Sequence, residues 1–516
     1  MIPDIIPRPP RPDPQTLAVG NSALYSHQLN LRIRTILNFI LLVFPFLVVA
    51  VWAIQGLSLA LFGSHLATYA MVLLFVRFAR VRDMIVLFLV LHPFVFYNFT
   101  LFLYALLRDA SLEEGLYAPV LTTLVAAAGL AGCMGGYFLS LILKRVLWMP
   151  RPTPPAPASE TGAVGIILIV MGAPFLVLPG LIPQVSLITI VSSILVQIAC
   201  IGIVAFSSSR GVATFRSPTL AAILVVAAFA AVFLNWRANL FIFALATVVV
   251  YFGVSKRPFE FVRIIFVYVA MNVLSAFSTV MLAGRIQYGH EGSVSFVLRH
   301  LLSVDFVLAS LGFERFRELT DIVNNQLDRH DEYLLYLFDG RQGLFERLTE
   351  FVPMDIIVGR LPHPLHANWG EIKNLFLFII PFVGSYREAD YNDRLVWELN
   401  LYDYGNIGHP TVTAIGEYYA MGGFWFTIAM MAALISIALY FYQISRRVFR
   451  NDYVAAGGLL LLTTYLVFTS TSSTALSVVT RGYPLALLVY PMARILYQGF
   501  GGSKAAATAP SGLPGR

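Results

Sequence analysis

The residues best suited to chemistry lie in one stretch, Asn406–Phe424, where a polar segment runs into an apolar one. His409 can accept a proton near neutral pH. Glu417 lies about one turn inside a predicted membrane helix, where a carboxylate is costly to bury and should face a wet cavity or a partner. The alternative is a carboxylate that the helix dipole stabilises in the first turn. Gly422 and Gly423, which follow, would permit close helix packing.

The composition shows that membrane helices must position these residues. Of the 516 residues, 58% are hydrophobic and only 12% are charged. A soluble protein carries roughly 25% charged residues, so this chain has too few polar groups to coat a surface that faces water. Cys133 and Cys200 both lie in apolar runs and are too few for a disulfide framework.

The apolar runs predict an all-α polytopic membrane protein with about 12 transmembrane helices and one large, mostly helical loop. Each run is long enough to approach the ~20 residues that cross a bilayer. The runs are 36–55, 57–76, 84–106, 115–143, 163–183, 185–207, 219–235, 239–254, 261–283, 413–440, 453–471 and 478–498. The first two are nearly continuous, and only Gln55–Gly56 indicates a turn between them.

The basic residues predict the orientation, because cytoplasmic loops carry an excess of arginine and lysine. The clusters occupy alternate connections, provided that 36–76 forms two helices. They are Arg32/Arg34, Arg77/Arg80/Arg82, Lys144/Arg145/Arg151, Arg210/Arg216, Lys256/Arg257/Arg263 and Arg446/Arg447/Arg450. Both termini are therefore expected in the cytoplasm and the 284–412 loop outside. Residues 285–404 carry 18 acidic and 11 basic side chains, a net charge of −7, which fits an exported loop.

These boundaries divide the chain into a disordered cytoplasmic tail, a membrane domain, a periplasmic loop domain, a second membrane domain and a second disordered tail. The respective ranges are 1–35, 36–283, 284–412, 413–498 and 499–516. Within the loop, Val294–Leu311 is apolar enough to lie in the headgroup plane. Leu375–Val383 is too short to span and is expected to be re-entrant or interfacial.

The 406–424 stretch resembles the O-antigen polymerase family, the Wzy-type polymerases of oligosaccharide repeat units. Members tend to carry a proline and a small residue, then Gly-Glu-aromatic-Tyr and a glycine pair at the start of a late membrane helix. Here these are Pro410-Thr411, Gly416-Glu417-Tyr418-Tyr419 and Gly422-Gly423. The many helices and the large outer loop before the last three spans are also similar to that family. The family's Arg-x-x-Trp-Pro-like cluster is not clearly present here, and the nearest match is Ile380-Pro381 followed by Arg387.

This resemblance implies glycosyl transfer from an undecaprenyl-pyrophosphate-linked oligosaccharide at the periplasmic face of a bacterial inner membrane. Arginines should bind the pyrophosphate, because a guanidinium can donate to two oxygens at once. A base should accept the proton of the attacking hydroxyl. Position in the chain indicates Arg285, Arg360, Arg387 and Arg481 as pyrophosphate ligands. The proton acceptors indicated are His409 and Glu417, followed by His363 and His366. Near helix ends, each arginine could instead only extend to the membrane interface. No cofactor and no metal are expected.

Other functions stay open at this stage. An O-antigen ligase would have a His-Asn pair ahead of the glutamate, whereas this chain has His409-Pro410. A lipid-linked oligosaccharide flippase would show charges inside several spans and two related halves. Expected partners are the bilayer, a chain-length regulator and a flippase. No basic run interleaved with aromatics indicates nucleic acid, and no Walker loop or HExxH motif is present.

Reporter fusions test the predicted orientation. Alkaline phosphatase fused within 284–412 should be active, and a fluorescent protein fused at either terminus should be bright. The matched control is alkaline phosphatase fused after Arg447, which should be inactive. Phosphatase activity at the control site but none in the loop would place the loop in the cytosol and contradict the prediction.

Overall fold

The chain folds as a bundle of helices. The computed structural model describes residues 21–108, 111–176, 186–211, 237–254, 351–361, 364–377, 391–399, 413–463 and 472–499, with parts of 273–310 and residue 319. Within these ranges no strand occurs.

The helices before the large loop form the first membrane part. They are α1 (Asn21–Gln55), α2 (Leu59–Ala79), α3 (Met84–Pro93), α4 (Thr100–Arg108), α5 (Pro119–Val146), α6 (Ala158–Gly172), α7 (Ser186–Arg210) and α8 (Arg237–Val254). A π-helical turn, Phe94–Phe99, joins α3 to α4. It follows Pro93, whose backbone nitrogen carries no hydrogen and so cannot donate the regular helical hydrogen bond.

The loop and the last spans contribute the remaining named helices. They are α9 (Val304–Ser310), α10 (Phe351–Arg360), α11 (Trp369–Leu377), α12 (Tyr391–Glu398), α13 (Ala414–Val448), α14 (Asp452–Leu462), α15 (Ser472–Ser477) and α16 (Tyr483–Tyr497). A second π-helical turn, Val478–Gly482, joins α15 to α16 without a break.

Six helices in the described part of the chain are long and apolar enough to cross a membrane. They correspond to the predicted spans that begin at residues 36, 57, 84, 115, 163 and 413, and they make this a membrane protein. Two other predicted spans, 239–254 and 478–498, lie within the described helical ranges 237–254 and 472–499. The remaining ones lie partly or wholly outside the described residues, so the number twelve stays a prediction. The described parts of the loop at 295–310 and in α10–α12 are helical apart from short connections.

The first two apolar runs are two helices, as predicted. α1 ends at Gln55 and α2 begins at Leu59. Gly56 lies between them with φ +68°, a left-handed conformation that glycine adopts at no steric cost. The predicted alternation of the basic clusters depends on this turn.

The predicted tail 1–35 differs from the structure, because α1 is helical from Asn21 onward. Polar residues hid this extension from a hydropathy criterion. Asn30 accepts a hydrogen bond from the backbone N–H of Met84 at 2.7 Å. Arg32 is buried and donates to the carbonyl of Tyr251 at 3.3 Å. Helix α1 therefore begins before the predicted start of the first span at residue 36, and neighbouring helices satisfy its polar groups.

Helix α13 is two helices joined at a break. Gly422 and Gly423 have non-helical backbone angles, and Gly423 has φ +74°. Gly129 of α5 lies against Ile415, yet Gly132 lies against Ile428. Three residues of α5 cover about 4.5 Å, whereas the thirteen residues from Ile415 to Ile428 would cover about 20 Å in a straight helix. The segment 414–421 therefore turns sharply away from the axis of 424–448.

The break lies one bilayer thickness from the opposite end of the bundle. The helix from Phe424 to Arg446 covers about 33 Å, close to the ~30 Å hydrocarbon core. Trp425 beside the break is 83% exposed, and Trp148, near the basic cluster Arg446/Arg447/Arg450, is 74% exposed. Tryptophan favours both membrane interfaces, so these residues mark the two edges of the span.

Close packing between spans depends on other glycines than the predicted pair. A Cβ added at Gly132 would lie 2.7 Å from the carbonyl oxygen of Ile428, and one at Gly136 would lie 2.7 Å from that of Ala432. A Cβ at Gly422 would lie 2.7 Å from the Cβ of Phe426 in the same helix, and one at Gly423 would meet only an ordinary contact, 3.6 Å from Pro364. Gly422–Gly423 therefore supplies the backbone break, and the glycines of α5 supply the close approach.

We expect Gly132→Ala or Gly136→Ala to destabilise the protein by about 1–3 kcal/mol, because the backbones of α5 and α13 must move apart. The measurement is the thermal unfolding midpoint of the purified protein in detergent. Gly135→Ala is the matched control, since its Cβ would lie 3.9 Å from the nearest atom. Alanine favours a helix more than glycine, so the control midpoint should stay equal or rise. Equal midpoints for all three variants would contradict the packing argument.

Candidate functional site

The break in α13 opens the bundle to the loop. The carbonyl of Met421 loses its helical partner there, and the backbone N–H of Ala367 donates to it at 2.9 Å. Pro364 packs beside Gly423. An unpaired backbone carbonyl at membrane depth costs several kcal/mol, so the loop segment that includes Ala367 completes the broken helix.

Glu417 lies in the short segment 414–421 and has no exposed surface. The side chain of Thr413 caps this segment by accepting from the N–H of Gly416 at 3.2 Å. One carboxylate oxygen of Glu417 accepts from the backbone N–H of Ser472 at 2.7 Å, and the other accepts from the Ser472 hydroxyl at 2.6 Å. The expectation of a partner is met, and the partner is the first residue of α15.

Arg481 lies on the helix that starts at Ser472, inside the π-helical turn. It is partly buried, and its Nη2 lies 3.5 Å from the carbonyl oxygen of Leu377, the last residue of α11. Helical side chains tilt toward the helix N terminus, so the guanidinium points back toward the Ser472 end. Within the described chain, this contact joins a predicted arginine to the predicted interfacial run.

Tyr391 of α12 is a phenol that the charges of two carboxylates influence. The residue is buried, and among the described residues its hydroxyl has no hydrogen-bond partner. Burial is the main cause of the raised pKa of Tyr391, and the negative charges of Glu417 and Glu371 raise this pKa further. The phenol therefore keeps its proton at any physiological pH and remains a donor.

A salt bridge holds α11 to α12. Arg394 Nη1 lies 2.7 Å from one oxygen of Glu371 and 2.9 Å from the other. Glu371 also accepts from the N–H of Asn368, whose side chain accepts from the N–H of Glu371 in return. This reciprocal arrangement is a capping box. The hydrogen bond to Glu371 is the main reason why the pKa of Arg394 is raised.

Asp355 anchors α10 to the start of α5. It is fully buried and accepts from the N–H groups of Tyr117 and Ala118 at 2.6 and 3.1 Å. It also accepts from the hydroxyl of Thr122 at 2.7 Å. A carboxylate at a helix N terminus satisfies free N–H groups and complements the dipole. Asp355 is therefore the cap of α5, supplied from the loop.

Arg360, at the end of α10, stabilises the same junction. Its Nη1 donates to the carbonyl of Leu399 at 2.7 Å, and its Nη2 donates to the hydroxyl of Tyr117 at 3.3 Å. The guanidinium lies 5.5 Å from the centre of the Tyr117 ring. Two nitrogens of the Arg360 guanidinium therefore help to hold this junction together.

Several predicted site residues lie outside the described residues. They are Arg285, Arg387, His409 and His363. His366 is described and exposed, in a left-handed conformation with φ 43°. In the ranges that the structure covers, no group of three His, Cys, Asp or Glu side chains is close enough to hold a metal.

Sequence reasoning did not identify Asp355, Ser472 or Tyr391. Asp355 had a usable signal, because it is the one charge within the apolar run 351–358. Ser472 lies in a serine- and threonine-rich stretch at the start of a span, which is consistent with a helix cap but does not say which group binds it. Tyr391 had no signal in the sequence.

In comparisons with known proteins, no family model, no curated protein and no solved structure matches this chain.

We expect Asp355→Asn to destabilise the protein by about 2–4 kcal/mol, because an amide nitrogen would face a buried donor in place of an acceptor. Thermal unfolding in detergent measures this effect. Asp305→Asn is the matched control, because Asp305 is exposed on α9. A midpoint for Asp355→Asn that equals the control midpoint would contradict the capping role.

Proposed function

We propose that this protein is a membrane glycosyltransferase that polymerises oligosaccharide repeat units carried on undecaprenyl pyrophosphate. The product would be an O-antigen, a capsule or an exopolysaccharide. The observation that carries the proposal is the position of Arg481. It lies in a π-helical turn, on a helix that starts at the buried carboxylate of Glu417, and beside the end of α11. π-Helical turns inside α-helices occur frequently at functional sites.

The depth of this region supports a substrate with its phosphates at a membrane surface. The α13 break, beside which Glu417 and α11 lie, is about 33 Å from the Arg446 cluster. A lipid pyrophosphate lies at the interface of hydrocarbon and water, where arginine can reach it from within the bundle.

The chemistry needs one new bond and one broken bond. A hydroxyl oxygen of the incoming repeat unit attacks the anomeric carbon of the growing chain. The bond from that carbon to pyrophosphate oxygen breaks, and undecaprenyl pyrophosphate leaves with the electron pair. Arg481 would bind the leaving pyrophosphate, with Arg285, Arg360 and Arg387 as further ligands. We assign the proton of the hydroxyl to His409, since the imidazole is a base near neutral pH.

The proposal includes the finer topology. With twelve spans and basic cytoplasmic connections, both termini would lie in the cytoplasm of a bacterial cell and the loop would lie in the periplasm. The polymerase would receive lipid-linked units from a flippase and work with a chain-length regulator.

One observation favours a second function, a lipid-linked oligosaccharide transporter. Broken helices such as α13 form substrate sites in many transporters. Here the loop fills the break through Ala367 and Pro364. A filled break supports the enzyme better than a transport path does.

Deletion of the gene, followed by gel analysis of the glycans, tests the proposal. Loss of the long ladder with a single capped repeat unit remaining is the expected result. Loss of all capping would identify a ligase instead, and accumulation of lipid-linked units on the cytoplasmic side would identify a flippase. Either of these results overturns the polymerase proposal.

Substitution of Arg481 tests the pyrophosphate ligand. We expect Arg481→Lys to reduce ladder synthesis about tenfold or more, because an ammonium cannot bind two phosphate oxygens in a planar fork. Arg82→Lys is the matched control, since Arg82 is exposed at the opposite end of the bundle. An intact ladder for Arg481→Lys and for Arg481→Ala would remove this residue from the site.

A further inference from the structure

We infer that Glu417 is a positioning residue, which holds the start of the helix that carries Arg481 and does not itself accept a proton. This inference rests on the proposed function for its link to catalysis. The contacts themselves are independent of that function. They assign to the most prominent carboxylate of the 406–424 stretch a role that differs from the one its sequence predicts.

Two residues of the 414–421 segment hold Ser472. Glu417 accepts both its backbone N–H and its hydroxyl, at 2.7 and 2.6 Å. The hydroxyl of Tyr418 donates to the carbonyl of Ser472 at 3.4 Å. Two successive residues of the 414–421 segment therefore engage all three polar groups of one serine. Glu417, Tyr418 and Ser472 together form what we call the clamp.

The helix dipole also favours this contact. Residues 472–499 form a continuous helical run that includes the π-helical turn. The negative charge of Glu417 accepts a backbone N–H in the first described turn of this run, and a helix dipole favours negative charge near its N-terminal end. The clamp is thus favourable on both hydrogen-bonding and electrostatic grounds, and it supplies the buried carboxylate with the partners that its burial requires.

Arg481 lies about 13 Å along the helix from the clamp, because it follows Ser472 by nine positions. A helix is stiff over this length, so the position of Ser472 sets the height and rotation of Arg481. A rotation by one residue would move the guanidinium by about 100° around the helix and away from Leu377.

The burial of Glu417 also bears on whether its carboxylate can reach a substrate hydroxyl. A general base must come within hydrogen-bond reach of the proton that it accepts. Glu417 has no exposed surface, and both its oxygens already accept from Ser472. Its environment fits the cap of a helix better than it fits a group that meets a sugar hydroxyl.

The test compares Glu417→Gln with Glu417→Ala in nanodiscs that contain the full chain. Glutamine can keep both contacts, because its oxygen accepts the N–H of Ser472 and its nitrogen donates to the serine hydroxyl. We expect Glu417→Gln to polymerise lipid-linked repeat units within about threefold of the unsubstituted protein, with an unchanged pH profile. Glu417→Ala should lose about tenfold or more. Glu398→Gln, on the exposed face of α12, is the matched control.

A Glu417→Gln variant that is stably folded but as inactive as Glu417→Ala would overturn the inference and leave the polymerase proposal intact. Glutamine cannot act as a base, so that outcome would assign proton transfer to Glu417.

A second measurement does not need polymerisation. The thermal midpoints of Glu417→Ala, Ser472→Ala and the double variant form a mutant cycle. We expect the thermal midpoint of the double variant to be no lower than that of the less stable single variant, because both substitutions break the same clamp. Ser436→Ala is the control, since its hydroxyl bonds to the carbonyl of Ala433 in its own helix. Additive losses would overturn the clamp.

Binding of undecaprenyl pyrophosphate to the same nanodiscs separates the two proposals. Retained binding in Glu417→Gln and weakened binding in both Glu417→Ala and Arg481→Lys supports positioning. If these results hold while the unsubstituted protein forms no polymer, the polymerase proposal fails and the clamp stands. Equal binding by Glu417→Ala and the unsubstituted protein overturns the link from the clamp to Arg481.

Discussion

The hydrogen bond from Ala367 to the carbonyl of Met421 is the interaction on which the site depends. A membrane helix cannot break in lipid unless another group satisfies the backbone that the break exposes. Gly423 makes the break possible, because its φ of +74° is strained for any residue with a side chain. The loop stabilises the break by donating one N–H to the exposed carbonyl. Once both conditions hold, the 414–421 segment can leave the axis of α13.

The departure of that segment explains why charged and polar side chains can collect beside the hydrocarbon. Glu417 reaches Ser472 only because the segment turns toward α15. In the loop, Asp355 of α10 likewise caps the start of α5. Each of these carboxylates is buried, and each accepts from backbone N–H groups at a helix start. Helix N termini thus replace the water that a carboxylate would otherwise need.

Prediction from sequence was successful where hydropathy and local backbone chemistry decide the outcome. The turn at Gly56 and a buried partner for Glu417 follow from such rules and are present. Helix α1 begins before the predicted start of the first span, since Asn30 and Arg32 look polar in sequence but bond to neighbouring helices. The role of Gly422–Gly423 was also wrong. A glycine pair in a span is compatible with close packing and with a break, and only the neighbouring backbone distinguishes the two.

The sequence by itself determined that this chain is a helical membrane protein, because too few charges remain to cover a surface in water. It also determined that a carboxylate would enter the bundle near residue 417. Only the tertiary structure decided what that carboxylate binds and which helix it orients. Ser472 lies 55 residues away, and Asp355 is more than 230 residues from the helix that it caps. Hydropathy reports the preference of a segment for lipid, whereas such partners depend on which helix ends meet in space.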